Sequence, residues 1–77
     1  MNTKESVTDL RKRFGWSQTK LDNRLNQDYG FNVTKHDISL LENGYATPKY
    51  KRLEIDAIKI FAKEQLEIDN AKEVLNV

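Results

Sequence analysis

The segment between residues 34 and 48 carries the side chains of this sequence that are best suited to hydrogen bonding with another molecule. At ~100° per residue, the core direction of a helix over residues 35–43 lies between Ile38 and Leu41. The opposite face then carries four side chains, the first two pointing directly away from the core and the others about 130° from it: His36, Asn43, Ser39 and Leu40. A helix docked in the major groove of DNA presents such an outward face to the base edges.

Members of this face have a second interpretation that the residues leave open. Lys35, on the flank of the face, can reach a phosphate or a guanine edge, or it can be a solvated lysine. His36 can donate a hydrogen bond to a guanine or a phosphate, or it can face solvent. Leu40 is expected to be exposed, where it can pack on a thymine methyl group or anchor a protein partner.

Asp37 is a carboxylate in the same segment, and it would repel phosphates if it faced DNA. Thr34 is a candidate N-cap, which places Asp37 at the third helical position. There a carboxylate meets the positive end of the helix dipole and can return a capping-box hydrogen bond. We favour this capping role for Asp37 over a contact with a cytosine amino group.

A second group of candidates for contacts with a polyanion follows Pro48, which suits the first position of a helix. Lys49, Lys51 and Arg52 could bind phosphates together with the backbone amides of that first turn. A solvated basic turn is the alternative. Residues 1–52 hold ten Lys and Arg against six acidic residues, whereas residues 53–77 hold three against six. This uneven distribution suits a polyanion on one side, with ordinary surface variation as the alternative.

Short helices are predicted to position these side chains, and no segment shows the alternation of a strand. N-cap residues and glycines suited to helix ends follow one another along the chain: Gly15, Ser17, Gly30, Thr34, Gly44 and Thr47. The capping-box pattern of residues 70–73 predicts a fifth helix leading to Val74 and Leu75. The fold class is therefore expected to be all-α, a compact bundle of about five short helices in one domain, residues 1–77.

The composition excludes several classes of site. The chain has 77 residues, no cysteine and one histidine, so neither disulfides nor a zinc site are expected. No apolar run approaches the ~20 residues of a membrane span, so we expect a cytoplasmic protein without membrane contact. There is no nucleophile–base constellation and no phosphate-binding glycine loop. We expect no enzyme, cofactor or small-molecule substrate.

The order of these elements resembles the Cro/lambda-repressor-type helix-turn-helix family, also called XRE-like. The resemblance covers about residues 7–62, with residues 63–77 as a helical tail. It is carried by Leu10-Arg11, Ser17-Gln18, Leu21, Leu25, Ile38, Leu41-Glu42, Gly44 and Pro48. Two features depart from the family. Asp22 replaces the usual alanine, and the interval from Leu21 to Glu42 is about six residues longer, the excess falling in "NQDYGFN".

The resemblance implies roles for residues that spacing alone does not assign. Gln18 would contact a phosphate and brace the recognition helix, which would be residues 35–43, with a simple surface glutamine as the alternative. Asn43 would bind the phosphate backbone, with C-terminal capping of the helix as the alternative. Arg11 and Glu42 would form an ion pair that ties the first helix to the end of the third.

Three hydrophobic features are expected mainly to serve packing. Trp16 and Tyr45 are expected to cover core edges, with base stacking as the alternative. The apolar positions of the last long segment exceed what one helix face needs for a small core: Ile55, Ile58, Phe61, Ala62 and Leu66. Together with Val74 and Leu75, part of this stripe could form a homodimer contact, with core packing as the alternative.

These features lead to two hypotheses on function. The first is a small sequence-specific transcriptional regulator of phage or mobile-element type, a repressor whose dimer binds operator DNA at half-sites about one helical turn apart. The second is a modulator of the same fold, an anti-repressor or antitoxin-like protein that binds a repressor or another protein. Near-neutral charge, Leu40 and the lack of Arg or Gln on the outward face favour the second.

Overall fold

Four α-helices make up the part of the chain that the structure, a computed structural model, describes: residues 6–75 of the backbone and residues 6–72 of the side chains. They are α1 (Val7–Phe14), α2 (Gln18–Tyr29), α3 (Lys35–Glu42) and α4 (Pro48–Leu75). Residues 6–75 contain no strand. The prediction of an all-α fold is confirmed.

The predicted fifth helix is wrong, because residues 70–73 lie inside α4. This helix continues for 28 residues from Pro48 to Leu75. Between Lys49 and Leu75 the sequence has neither glycine nor proline, and residues with high helix propensity precede Asn70, so nothing ends the helix there. A capping-box pattern starts a helix only where the preceding helix stops. The side chains of Val74 and Leu75 lie outside the described residues.

The predicted caps delimit α2, the end of α1 and the start of α3, whereas the N-cap of α1, Ser6, lies outside the predicted set. The Ser17 hydroxyl accepts a hydrogen bond from the backbone N–H of Lys20 at 3.1 Å at the start of α2. α1 and α2 end at Gly15 and Gly30, with φ of 72° and 71°. A left-handed conformation of this kind suits glycine, because other residues meet a steric penalty there. Local sequence therefore fixes where these helices begin and end.

The core forms where α1, α2 and α3 pack on the first half of α4. Its members come from all four helices and the connections between them: Val7, Trp16, Leu21, Leu25, Val33, Ile38, Leu41, Leu53, Ala57, Ile60 and Phe61. Phe61 is fully buried and its ring centroid lies 5.0 Å from that of Trp16. Burying a large apolar side chain of this kind contributes ~2 kcal/mol.

The aromatic residues expected at core edges divide into two groups. Trp16 is buried in the core, and the Lys20 ammonium lies 4.7 Å above its ring. Tyr45 is 54% exposed, so the expectation that it covers a core edge is wrong. It follows Gly44 in the connection between α3 and α4, and its ring meets Tyr50 edge-on, at 6.0 Å between centroids, rather than the core.

The additional residues in the interval from Leu21 to Glu42 are mostly helical. Residues 26–29 of "NQDYGFN" extend α2 to Tyr29, and only residues 30–34 connect it to α3. The Asn26 side chain closes this connection: its Oδ1 accepts from the Val33 N–H at 2.9 Å, and its Nδ2 donates to the Val33 carbonyl at 3.0 Å. Val33 is buried in the core. The additional residues therefore lengthen α2 and end in a fixed turn.

The apolar stripe of α4 divides between two faces. Phe61 belongs to the core, and Ile58 is partly buried against it. Ile55 and Leu66 are 52% and 61% exposed, and Ala62 is exposed as well. The stripe is therefore too wide for one core, as its sequence indicates.

Candidate nucleic-acid interface

The outward face of α3 is exposed at its N-terminal end and partly buried in its second half. Lys35 and His36 are exposed, and so is Asn43, which forms the C-cap of the helix. Ser39 and Leu40 are partly buried. The expectation that Leu40 is exposed is therefore wrong, because a position ~130° from the core direction of a short helix still borders the neighbouring elements.

Asp37 is held by three groups at the start of α3. Its Oδ2 accepts from the backbone N–H of Thr34 at 3.1 Å, and its Oδ1 accepts from the Tyr50 hydroxyl at 3.1 Å. The Lys49 ammonium lies 3.6 Å from Oδ1. The Thr34 N–H, followed by Tyr50 and Lys49, lowers the pKa of this carboxyl below its ordinary value despite partial desolvation. The capping role predicted for Asp37 is confirmed.

Glu42 joins three helices at the other end of α3. Arg11 donates to both carboxylate oxygens, from Nε to Oε2 at 2.7 Å and from Nη2 to Oε1 at 3.1 Å. Gln18 donates from Nε2 to Oε1 at 3.0 Å. Arg11 also donates from Nη1 to the Trp16 carbonyl at 2.9 Å. The ion pair between Arg11 and Glu42 that the family resemblance implies is present, and Gln18 braces α3 through the same carboxylate.

The electrostatics of this cluster favour the charged forms. Burial acts to raise the pKa of Glu42, but the hydrogen bonds from Arg11 and Gln18 outweigh it and leave the pKa lowered. The Lys12 charge adds to the lowering of this pKa. The Gln18 amide has a second N–H, so it can brace Glu42 and still donate to a ligand.

The basic residues at the start of α4 differ in their partners. Lys49 is paired with Asp37 of α3, and its ammonium also lies 5.5 Å from the centroid of the Tyr50 ring. Arg52 lies 3.5 Å from the Asp56 carboxylate on its own helix. Lys51 is exposed. All three cations stay at the surface at the end of α4 that contacts α3.

Three residues outside the predicted set contribute to this surface. Tyr50 anchors Asp37, Asn26 fixes the turn that leads into α3, and Lys12 lies near Glu42. The partners Asp37 and Tyr50 are thirteen positions apart in the sequence and lie on different helices. Helical periodicity does not predict such a contact. Asn26 has a local signal: an asparagine near the end of a helix can bond the turn that follows.

Neither a metal-binding cluster nor a membrane-spanning helix occurs in the part of the chain that the structure describes. Residues 6–72 hold no group of three or more His, Cys, Asp or Glu side chains arranged to bind a metal ion. None of the four helices, over the residues described, is both long and apolar enough to cross a membrane.

Comparisons of the chain with models of protein families, with curated proteins and with solved structures give no match. The functional interpretation therefore depends on the residues and their geometry.

Proposed function

We propose that this chain is a small sequence-specific DNA-binding regulator in which α2, the turn 30–34 and α3 act as a helix-turn-helix. In this proposal α3 enters the major groove of an operator and presents Lys35, His36, Ser39 and Leu40 to base edges. Gln18, Asn43, Lys49 and Lys51 contact phosphates on either side and supply affinity.

The observation that carries the proposal is the way in which α3 is held. Its N-terminus is bound through Asp37 to Tyr50 of α4, and its C-terminus through Glu42 to Arg11 and Gln18. Its buried face packs into the core through Ile38. A reading helix needs such a rigid mount, because specific contacts to base edges depend on sub-ångström placement.

The polar groups of the mount also leave the outward face available. The carboxylates of α3 are satisfied by protein donors, so neither is an unpaired negative charge aimed at phosphate. The exposed side chains at the start of the helix are instead the donors Lys35 and His36. In this proposal the two acids assist DNA binding by holding α3 in place. The acids of the chain as a whole keep its net charge near neutral.

The test is binding of the purified protein to a pool of random duplexes, measured by fluorescence anisotropy and followed by enrichment of bound sequences. If Lys49 and Lys51 each neutralise a phosphate, raising the salt from about 50 to about 200 mM lowers affinity roughly 10-fold per chain. We expect a consensus sequence and loss of its enrichment in the Lys35→Ala/His36→Ala variant.

Lys72→Ala is the matched control, because Lys72 is an exposed lysine near the far end of α4. It removes the same charge about 30 Å along the helix from Tyr50 and is expected to leave the consensus unchanged. Binding without a consensus, or equal loss in both variants, would show that contact with DNA is only non-specific.

The alternative function, a modulator that binds a repressor or another protein, is favoured by one feature of the same surface. Leu40 adds an apolar side chain to the outward face of α3, and the face carries neither Arg nor Gln. Under this alternative the purified protein binds no duplex even at low salt. A Leu40→Ala variant would then keep its fold and lose its binding to a protein partner. Under the DNA-binding proposal, the same variant would instead lose the preference for thymine at positions of the consensus.

A further inference from the structure

α4 carries a second apolar face that no element of the described chain covers. The core residues Leu53, Ala57 and Phe61 are essentially inaccessible on one side of the helix. Ile55, Ala62 and Leu66 lie within about 20° of a common direction on the opposite side. Ile55 and Leu66 are each more than half exposed. Two large aliphatic residues three turns apart, with Ala62 and the stem of the exposed Lys59 between them, form a shallow strip suited to a second helix.

Charge along α4 is uneven in a way that restricts what can pack there. Among residues 48–60 there are four Lys and Arg against two acids, and among residues 61–72 two Lys against three acids. Arg52 is exposed beside the strip at its basic end, and Asp69 is exposed beside it at the acidic end. If α4 of a second copy packs in the opposite direction, the basic end of each helix lies beside the acidic end of the other.

We infer that the outward face of α4 binds the same face of a second copy of this chain, with the two helices antiparallel and crossing between residues 60 and 61. In this register each residue meets the partner position whose number sums with its own to 121. Ile55 then faces Leu66, Lys59 lies beside Ala62, and Arg52 faces Asp69. One register therefore satisfies the aliphatic pair and the charge pair together, and the small Ala62 side chain next to the crossing allows the helices to approach closely.

A parallel arrangement fails by the same criteria. In a parallel pair, Arg52 of one chain lies beside Arg52 of the other, and Asp69 lies beside Asp69, so like charges meet at both ends. It also aligns the two helix dipoles in the same direction. The antiparallel pair avoids both penalties. Because the strip is short, the interface is small and the dimer is weak, with a Kd on the order of micromolar to tens of micromolar.

The position of the two α3 helices in this dimer sets the spacing that it can read on DNA, a point that rests on the proposed DNA-binding function. Tyr50, which bonds to Asp37 of α3, lies about ten residues before the crossing, or ~16 Å along α4. The two α3 helices are thus separated by roughly 30 Å along this axis. Because α3 packs on the core side of α4, opposite the strip, the width of the dimer adds to this separation. The half-sites that such a dimer reads are therefore more than one turn of DNA, or ~34 Å, apart.

The test uses the absence of cysteine from the sequence. One preparation carries Ile55→Cys and the other Leu66→Cys, and they are mixed with a short bismaleimide cross-linker in the absence of DNA. The antiparallel register gives mainly mixed adducts that join position 55 of one chain to position 66 of the other, and either preparation alone gives few. Dominant adducts within one preparation, or no adduct above that of a Lys72→Cys control, would overturn the inference.

Sedimentation velocity provides an independent readout over concentrations from about 1 to about 500 µM. Leu66→Glu is expected to leave the protein folded and shift the dimer dissociation constant at least tenfold. Ile68→Glu is the matched control, because Ile68 is 40% exposed but lies about 200° around the helix from Leu66. Arg52→Asp and Asp69→Arg should each weaken the dimer, and their combination should restore it.

Both experiments are performed without DNA, so their failure is separate from failure of the proposed function. A monomer that still enriches a consensus dependent on Lys35 and His36 would refute the dimer alone. A dimer with the predicted cross-links that binds no duplex would refute DNA binding alone. Equal dimerisation of Leu66→Glu and the unmodified chain would refute the assigned face.

Discussion

Replacement of Glu42 by glutamine is expected to destabilise the fold more than any other loss of one charge in α3. Glu42 accepts two hydrogen bonds from Arg11 and one from Gln18. Both side chains of the ion pair are mostly buried, with 14% and 8% of their surface exposed. Glu42→Gln keeps the shape, turns one acceptor into a donor and leaves the Arg11 charge partly buried without its counter-charge. The expected cost is ~2–3 kcal/mol of unfolding free energy.

Urea denaturation measures this cost, with the fluorescence of Trp16 as the signal, since it is the only tryptophan in the sequence and is buried in the core. A loss of that size lowers the Tm of a domain this small by roughly 10–20 °C. Glu67→Gln is the control, because Glu67 is an exposed glutamate on α4. It should change stability by less than about 0.5 kcal/mol.

The pH dependence gives a second check with a defined sign. The folded-state pKa of Glu42 is lowered, so its stabilising contribution is complete above its ordinary value of 4.5 and is lost as the pH falls through the folded pKa. The gap between the unmodified chain and Glu42→Gln should therefore be constant near neutral pH and narrow below about pH 4. If Glu42→Gln unfolds at the same urea concentration as Glu67→Gln at pH 7, the reasoning about this cluster is refuted.

Three further predictions concern single side chains. Asp22→Asn should stabilise the fold at pH 7, because Asp22 is 6% exposed and burial raises the pKa of its carboxyl. Ionisation of Asp22 then costs stability as the pH rises through that pKa, and the amide avoids this cost. An unchanged urea midpoint would contradict this prediction. Tyr50→Phe should cost ~1 kcal/mol by the same measurement and should raise the pKa of Asp37, followed by NMR titration, towards its ordinary value. Asn26→Ala should remove both hydrogen bonds to Val33 and accelerate amide hydrogen exchange in the turn 30–34 before that in α4; uniform exchange would show that the turn is held by other contacts.

Most boundaries of the first three helices could be predicted because their signals are local. The start of α1 has the same kind of signal, a capping box between Ser6 and Asp9, but it is not among the predicted caps. An N-cap side chain bonds an amide three residues away, and a glycine at a helix end accepts a positive φ by its own chemistry. The capping role of Asp37 is of the same kind. The prediction of a fifth helix was wrong for a related reason. The pattern at residues 70–73 can start a helix, but the sequence before it has no glycine or proline that would end the preceding helix.

The pairing across the fold could not be predicted in the same way. Tyr50 reaches Asp37 only because α4 packs against the start of α3, and the exposure of Tyr45 depends on the direction in which the chain leaves Gly44. The ion pair between Arg11 and Glu42 spans thirty-one positions and came from the family resemblance rather than from spacing. Contacts between helices depend on tertiary packing, which no local pattern encodes.

The charge of the candidate interface links the proposed function to the proposed dimer. One chain offers only a few cations near α3, and Lys49 and Arg52 are already engaged with acids of the protein. At physiological salt a handful of phosphate contacts gives binding no tighter than non-specific association. Two copies joined through α4 would double those contacts on one duplex and convert the second binding event into an intramolecular one. A weakly charged reading surface can therefore bind tightly only if two surfaces act together, so the affinity for DNA should rise with the fraction of dimer and fall in Leu66→Glu.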